Sequence, residues 1–553
     1  MKELHGKGVS GGIAIGRVKF HKSENMLVKR IHVENAERET ERFRKAKEIT
    51  LSELKNLYEK ALKEVGEENA QIFEIHQMML DDSDYIESIE NIISSQNLNA
   101  EYAVSVTCDN FAEMFSSMDN EYMQGRSADI KDISARLIKN LMNKKESNDT
   151  AEKNSIIFAV DLAPSETVQM NKSEISGFCT AEGSANSHTA ILARTMNIPA
   201  IIGIGSELSE GFDGMEAIAD GFSGTVYINP DEKTKSEMLK KRDDELIKRK
   251  LLQNLKDKEN ITPDGQKINI YANIGSLNDL GSVLENDAGG IGLFRSEFLY
   301  LESSNFPDEE TQFRCYKKVL ECMAEKKVII RTLDIGADKQ IDYFKLKKEE
   351  NPALGFRAVR ICLANPDIFK VQLRALYRAS VFGNLGIMFP MIISPEEVMQ
   401  IKKIVSEVKN ELKSSGIPFK SDVETGIMIE TPASVMISDI LAKEVDFFSI
   451  GTNDLVQYTL ALDRQNPELE KFCDTHHKAI LRMIKTTVEN AHKNGIWAGI
   501  CGELGGDLEL TEFFLAVGTD ELSVLPSMVL PLREKVRNTH IGNREDILKR
   551  FLE

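Results

Sequence analysis

Seven cysteines and one tryptophan are few for 553 residues. The cysteines are scattered and none forms a C-x-x-C pair, so neither a disulfide framework nor a compact thiolate metal site is expected. They read as the reduced thiols of a cytoplasmic protein. No run of 18 apolar residues is present, which excludes a membrane-spanning helix. The opening MKELHGKGVSGG lacks a long apolar core and an obvious cleavage site, so no signal peptide is expected. Positive charge is in deficit: 69 Lys and Arg against 88 Asp and Glu give a net charge of −19. That argues against nucleic acid and anionic membrane surfaces as partners, and permits a basic protein partner. Between about Val33 and Leu141 there is no proline and little glycine. Nothing there breaks a helix, and no glycine-rich phosphate loop is present.

What is there divides the chain. KGVSGGIAIGRVKF (7–20) reads as a glycine-bounded strand. The proline-free stretch carries apolar residues at helical spacing, as at Ile72, Ile75, Met79 and Leu80. Strand patterns resume with SIIFAV (155–160), ISGFCT (175–180), PAIIGIG (199–205) and MEAIADGFSGTVYINP. This predicts one α/β domain from residues 1–20 and 148–230, with a helical domain at 33–146 inserted into it. The charged segment 231–260 predicts a single connecting helix, roughly 45 Å long at about 1.5 Å per residue. From 262 to 553 eight short apolar strands alternate with helices, the pattern of a TIM (β/α)8 barrel. The expected fold is therefore multidomain α/β.

Polar residues collect where the barrel strands stop, and the C-terminal rim is where such barrels carry chemistry. Glu430 and Asp454 end neighbouring strands, and hard oxygen ligands of this kind suit Mg²⁺. Arg295, Arg331 and Arg464 can fork onto phosphate or carboxylate oxygens. Together they point to a small, polyanionic, metal-chelating substrate. Cys501 is either a proton donor there or a packed apolar side chain. Far from the barrel, GSANSHTAILAR (183–194) places His188 at or near a helix start, where free N–H groups and the helix dipole favour anions. A histidine there can accept a phosphoryl group, or merely cap the helix.

The motifs GSANSHTAILART (183–195), GLFRSEFLY (292–300), RTLDIGADK (331–339), NPALGFRAVR (351–360), IMFPMI (387–392), GTNDLVQYTLALDR (451–464) and CGELGGD (501–507) carry a specific resemblance over essentially the whole chain. The sequence resembles enzyme I of the bacterial sugar phosphotransferase system, the phosphoenolpyruvate–protein phosphotransferases. The resemblance implies that His188 is phosphorylated and that Cys501 protonates the enolate of pyruvate. It implies that Glu430 and Asp454 hold Mg²⁺, and that Arg295, Arg331, Arg464, Asn453 and Asp454 bind phosphoenolpyruvate, with Arg357 and Lys339 lining the site. Thr167 would orient the His188 ring. The inserted helical domain would dock HPr, the next phosphocarrier, through Glu67, Glu68, Phe73, His76, Asp82 and Asp84, with Arg126 contacting His188 or HPr. The resemblance further implies a homodimer formed through the barrel.

The expected reaction moves the phosphoryl group of phosphoenolpyruvate to His188 and then to a histidine of HPr, releasing pyruvate, as the first step of sugar uptake. One alternative is a relative of pyruvate phosphate dikinase or phosphoenolpyruvate synthase, but those enzymes need a nucleotide-binding domain, for which residues 33–146 are too short. Another is a non-catalytic regulator that binds HPr.

Overall fold

The computed structural model describes residues 1–21, 28–64, 67–116, 121–143, 154–162, 164–170, 174–183, 190, 193, 198–301, 303, 305–336, 341–347, 349–464 and 466–553. The chain divides into two compact units, Met1–Lys248 and Arg249–Glu553.

The first unit is built on a mixed eight-stranded sheet. Its strands are β1 (Lys2–His5), β2 (Lys7–Ser10), β3 (Ile13–Phe20), β4 (Ser155–Ala159), β5 (Ile175–Thr180), β6 (Ala200–Ile202), β7 (Glu216–Asp220) and β8 (Thr225–Ile228). Their spatial order is β1-β8-β7-β3-β4-β5-β6-β2. β3 and β4 are parallel neighbours, with Arg17 opposite Ser155 and Phe20 opposite Phe158. The chain therefore leaves the sheet after β3 and returns beside it more than a hundred residues later. In between lie α1 (Ala36–Glu64), α2 (Glu67–Leu80), α3 (Ser83–Gln96), α4 (Ala100–Ser116) and α5 (Glu121–Leu141). They close on their own core, which includes Phe43, Leu54, Phe73, Tyr85, Ile89 and Leu137. Tyr85 is fully buried and its hydroxyl lies 2.8 Å from Ser134 Oγ, so its one polar atom is satisfied. The short helix α6 (Pro164–Gln169) follows β4 and meets α5 through Ser165 Oγ, which donates to Asp132 Oδ1 at 2.7 Å.

The connecting helix is shorter than the sequence pattern predicts. It runs Glu232–Gln253 rather than over the whole of 231–260. The residues after it are held by the barrel instead. Buried Arg533 donates to Leu255 O at 2.8 Å and to Asn260 Oδ1 at 2.7 Å, and pairs with Asp287 at 2.6 Å. The Leu255 carbonyl bound by this guanidinium also accepts Lys258 N at 3.2 Å, closing a turn where the helix has ended.

The second unit is a closed barrel of eight parallel strands: β9 (Asn269–Ile274), β10 (Gly290–Arg295), β11 (Lys327–Arg331), β12 (Asn384–Phe389), β13 (Glu424–Ile429), β14 (Phe447–Ile450), β15 (Trp497–Ile500) and β16 (Glu521–Val524), with β16 pairing back onto β9. This is the TIM-type arrangement expected from the strand–helix alternation. Leu293, Ile329, Met388, Met428 and Phe447 fill the interior, and Trp497 stacks on Phe447 at 4.5 Å. Turn chemistry fixes the returns. Ser394 and Thr431 each form a capping box ahead of a proline-led helix. Among the described residues no helix is long and apolar enough to cross a membrane, and all seven cysteines are free.

Because each unit has its own core, fragments 1–248 and 249–553 should each unfold cooperatively in urea, with far-UV signals that add to that of the whole chain. A fragment lacking a cooperative transition would show that its core is not self-sufficient.

Candidate active site at the barrel rim

Parallel strands deliver their last side chains to one end of the barrel, and that end holds a cavity of about 870 Å³ lined by residues from several strand ends. Arg295 is the final residue of β10 and Arg331 of β11. Glu430 follows β13 directly. Asn453 and Asp454 occupy the first turn of the helix Thr452–Leu460, which begins just after β14. Cys501 follows β15 directly. Arg357 and Arg464 enter from rim loops, and all of these residues line the cavity.

The charges are buried and therefore paired. Arg331 is 8% exposed; its Nη2 donates to Glu297 Oε1 at 2.6 Å and its Nη1 lies 2.8 Å from Asp334 Oδ2. Arg357 Nη2 reaches Asp334 Oδ1 at 2.8 Å and Asp454 Oδ2 at 3.4 Å, while its Nη1 donates to the Tyr458 hydroxyl at 3.2 Å. Burial opposes the charge of both guanidiniums, but the carboxylates around them hold their pKa values above the ordinary arginine range. Among the described residues, Nε of each still lacks a hydrogen-bond partner, as does Asp454 Oδ1. Arg464 Nη2 stands 3.6 Å from that oxygen. Asn453 is fixed to the neighbouring loop in both directions: its Nδ2 donates to Glu503 Oε1 at 3.1 Å, and its Oδ1 accepts from Glu503 N at 2.9 Å.

Glu430 is 1% exposed. Burial pushes its carboxyl up to about 8; Asp454 and Asp334 add to the rise, and Arg331 and Arg357 oppose it. One oxygen accepts the backbone N–H of Met391 at 2.6 Å. Met391 has a φ of 58°, rare for a side chain of that size, and it sits where the chain must point that N–H at Glu430. Neither Met391 nor Tyr458 was among the candidate residues, since a backbone donor and a tyrosine in a helix leave no distinctive pattern. Cys501 is 3% exposed. Burial pushes its thiol up to about 12, with the Ser449 hydroxyl pulling the other way, so at neutral pH the group is a proton donor rather than a thiolate.

In the first unit the expected residues scatter. His188 and Lys339 lie outside the described residues, as do the side chains of Glu67 and Glu68 on α2. Thr167 is on the helix α6 and is 1% exposed. Two expected docking contacts face inward. Phe73 and His76 are both 0% exposed, Phe73 as part of the helical core and His76 with its Nε2 3.3 Å from Asp129 Oδ1. The Nη1 of Arg126, 9% exposed, also donates to Asp129 at 2.8 Å, so it joins the same buried network. As the unit is arranged, neither Phe73 nor His76 offers docking surface, because α2 turns that face onto its neighbours. Asp82 and Asp84 are exposed, although Asp82 also caps α3 by accepting from Asp84 N and Tyr85 N. Met78, on the outer face of α2, is 70% exposed. Its apolar signal in the sequence was indistinguishable from that of the buried residues beside it.

The family model of the PEP-binding domain of phosphoenolpyruvate-utilising enzymes matches residues 249–541; the N-terminal model matches 5–126 and the mobile-domain model 151–224. The phosphoenolpyruvate-protein phosphotransferase of Priestia megaterium is 42% identical over 552 residues, covering 100% of this chain and 96% of that protein. This chain belongs to the phosphoenolpyruvate-protein phosphotransferase family. The protein of that name from Bacillus subtilis is 41% identical over 553 residues, covering 100% of this chain and 97% of that one. That from Staphylococcus carnosus is 40% identical over 553 residues, covering 100% and 96%.

The pairing at the rim makes a stability prediction. Arg331→Met leaves Glu297 and Asp334 buried with a missing partner, so urea unfolding should show a loss of about 3–5 kcal/mol. A loss below about 1 kcal/mol would mean that the two carboxylates are neutralised without it.

Proposed function

We propose that this protein is a phosphoenolpyruvate–protein phosphotransferase that phosphorylates its own His188 from phosphoenolpyruvate and passes the group to HPr. The observation that carries this reading is the rim cavity, where four arginines, a buried carboxylate pair and a protonated thiol line one space. A phosphate and a carboxylate on one small molecule suit the guanidiniums, with Arg331 Nε and Arg357 Nε still free to donate.

Glu430 and Asp454 are the residues to hold Mg²⁺. The site fits such an ion: Asp454 Oδ1 is buried without a hydrogen-bond partner among the described residues, and burial, with Asp454 and Asp334 adding to the rise, pushes Glu430 to about 8. When bound there, the ion neutralises negative charge on phosphoryl and enolate oxygens. Arg295, Arg331 and Arg464 stabilise the charge that develops as the phosphoryl group leaves, and Arg357 holds Asp454 in place. Asn453, locked to Glu503, offers a positioned polar group to the substrate. Lys339 serves as a further cation for the substrate. Neutral His188, oriented by Thr167, attacks phosphorus in line, which requires the histidine to reach the rim. The C–O electrons of the departing enolate return to carbon, and the Cys501 S–H supplies the proton that completes pyruvate. HPr docks on the helical domain, where exposed Asp82, Asp84 and Met78 combine acidic and apolar surface for a basic partner, joined by Glu67 and Glu68 of α2 and Arg126 of α5. The protein works in the cytoplasm and pairs as a homodimer through the barrel.

Incubation with phosphorus-labelled phosphoenolpyruvate and Mg²⁺, with and without HPr, tests the reading directly. His188→Ala should fold and accept no label. Asp454→Ala should take no label from phosphoenolpyruvate yet still receive it from phosphorylated HPr, since that exchange uses only the first unit. Acid-labile label on His188→Ala, or loss of the HPr exchange in Asp454→Ala, would contradict these assignments.

The buried acid pair adds a pH prediction. Glu430 must lose its proton to hold a cation, and its raised pKa means that the proton is retained below about 8. Mg²⁺-dependent binding of phosphoenolpyruvate should therefore weaken as pH falls from 8 to 6, approaching a tenfold loss per unit, with about one proton released per ion bound. Calorimetry in two buffers of different ionisation enthalpy reads both quantities; an affinity flat across that range would refute the role of Glu430.

A further inference from the structure

The helix Pro366–Ala379 carries Phe369, Gln372, Leu373 and Leu376 at helical spacing, and all four are buried. Gln372 differs from the other three in kind: it is a carboxamide with no exposed surface. Leucine or methionine would fill such a position without the cost of taking an amide out of water. The amide is there for its hydrogen bonds.

Gln372 Oε1 accepts from Leu333 N at 2.9 Å. Its Nε2 donates to Ser296 Oγ at 3.0 Å and to the Tyr316 hydroxyl at 3.1 Å. A backbone N–H can only donate, so the oxygen must be the atom that faces Leu333. Tyr316 passes its own proton on to Gln312 Oε1 at 3.0 Å, and Gln312 Nε2 donates to Pro307 O at 2.9 Å. A carbonyl can only accept. Both ends of the chain are therefore backbone groups of fixed polarity, and each amide between them has one orientation. Buried networks satisfied in this way are rigid.

The two rim contacts of Gln372 fall inside the charge network. Ser296 stands between Arg295 and Glu297, and Leu333 between Arg331 and Asp334. Glu297 and Asp334 are the acids that hold Arg331, and Asp334 also holds Arg357. The ladder between β11 and β12 is extended by Thr332 N, which donates to Met388 O at 2.9 Å; the next N–H, of Leu333, turns to Gln372 instead. One carboxamide thus ties the end of β10 to the end of β11 where each delivers an arginine.

We propose that Gln372 is a positioning residue for phosphoenolpyruvate, setting the separation of the Arg295 and Arg331 guanidiniums by holding Ser296 and Leu333 to one amide. The inference rests on the reading of the rim as the phosphoenolpyruvate site. Gln372 touches no substrate. It acts through the backbone on either side, so that the arginines meet phosphate and carboxylate oxygens without first being rearranged.

The test uses the full chain with Mg²⁺ and excess HPr, and reads steady-state pyruvate formation alongside urea unfolding. If the parent forms no pyruvate, the functional reading falls and takes this inference with it; the variants decide the inference alone. Gln372→Met keeps the approximate volume and removes every bond. Its kcat/KM for phosphoenolpyruvate should fall at least about tenfold, mostly through KM. Exchange of label with phosphorylated HPr should stay parental. Tyr316→Phe also disturbs the buried network but leaves the Leu333 and Ser296 bonds in place. It should lose stability and keep kcat/KM within about twofold of the parent. Gln372→Glu retains the acceptor for Leu333 N and, buried and so protonated, one donor; it should recover most of the activity lost in Gln372→Met. A packing role predicts instead that both Gln372→Met and Tyr316→Phe are destabilised and that neither changes kcat/KM well below its unfolding midpoint. Parental kcat/KM in Gln372→Met, an equal loss in Tyr316→Phe, or no recovery in Gln372→Glu would each overturn the proposal. Should Gln372→Met fail to fold by circular dichroism, Ser296→Ala decides: it cuts the β10 arm alone, so its KM must rise, and a parental KM overturns the proposal equally.

Discussion

Asp334 accepts from two buried guanidiniums, Arg331 and Arg357, each at 2.8 Å, and the rest of the rim hangs on that bridge. Two like charges this far from water cannot share a space without a counter-charge between them. With Asp334 in place, Arg331 also holds Glu297 from the neighbouring strand end, and Arg357 reaches across to Asp454. One carboxylate thereby couples β10, β11 and the start of the helix after β14. Each arginine uses its terminal nitrogens on protein and keeps Nε uncommitted. The surplus donors, rather than the charges alone, are what a phosphorylated substrate can use.

Closing the barrel brings the acid pair and the thiol to one rim, and glycine lets them come close enough. A Cβ on Gly502 would lie 1.9 Å from Thr452 Oγ1, so the loop carrying Cys501 packs directly on the helix carrying Asn453 and Asp454. The pair of hydrogen bonds between Asn453 and Glu503 then ties the two loops together. A bulkier residue at 502 would separate the proton donor from the metal-ligand candidates without altering any of them.

Much of this was legible before any coordinates, for a physical reason. In a parallel barrel each strand is a short apolar run, and the first polar residues after it are on the rim. Arg331, Glu430, Asp454 and Cys501 could therefore be placed by reading where the runs stop. Inward and outward helix faces were harder. Phe73, His76 and Met78 lie within six residues on α2, and only the packing of α1 and α5 against it shows that the first two are buried and the third exposed. The length of the charged helix was misjudged because its apolar spacing continues to Leu255, whereas its end is set by Arg533, nearly 280 residues away. Glu521 was hidden for a different reason. It begins a strand at the end remote from the rim chemistry, where an acid ordinarily faces solvent, and only the glycines at 292 and 499 turn it into the bore.

Desolvation acts on three acids at the rim and below it, with a different outcome for each. At Glu430 it raises the carboxyl only to about 8, because Arg331 and Arg357 oppose the rise; the group stays within reach of ionisation and can exchange its proton for a cation. At Cys501 a single nearby guanidinium is too little, and the thiol goes to about 12, which keeps it a donor. Glu521 has no cation among its influences, and burial raises it well above its usual range. The guanidiniums of the rim oppose the rise at Glu430, and Glu521 meets no such opposition.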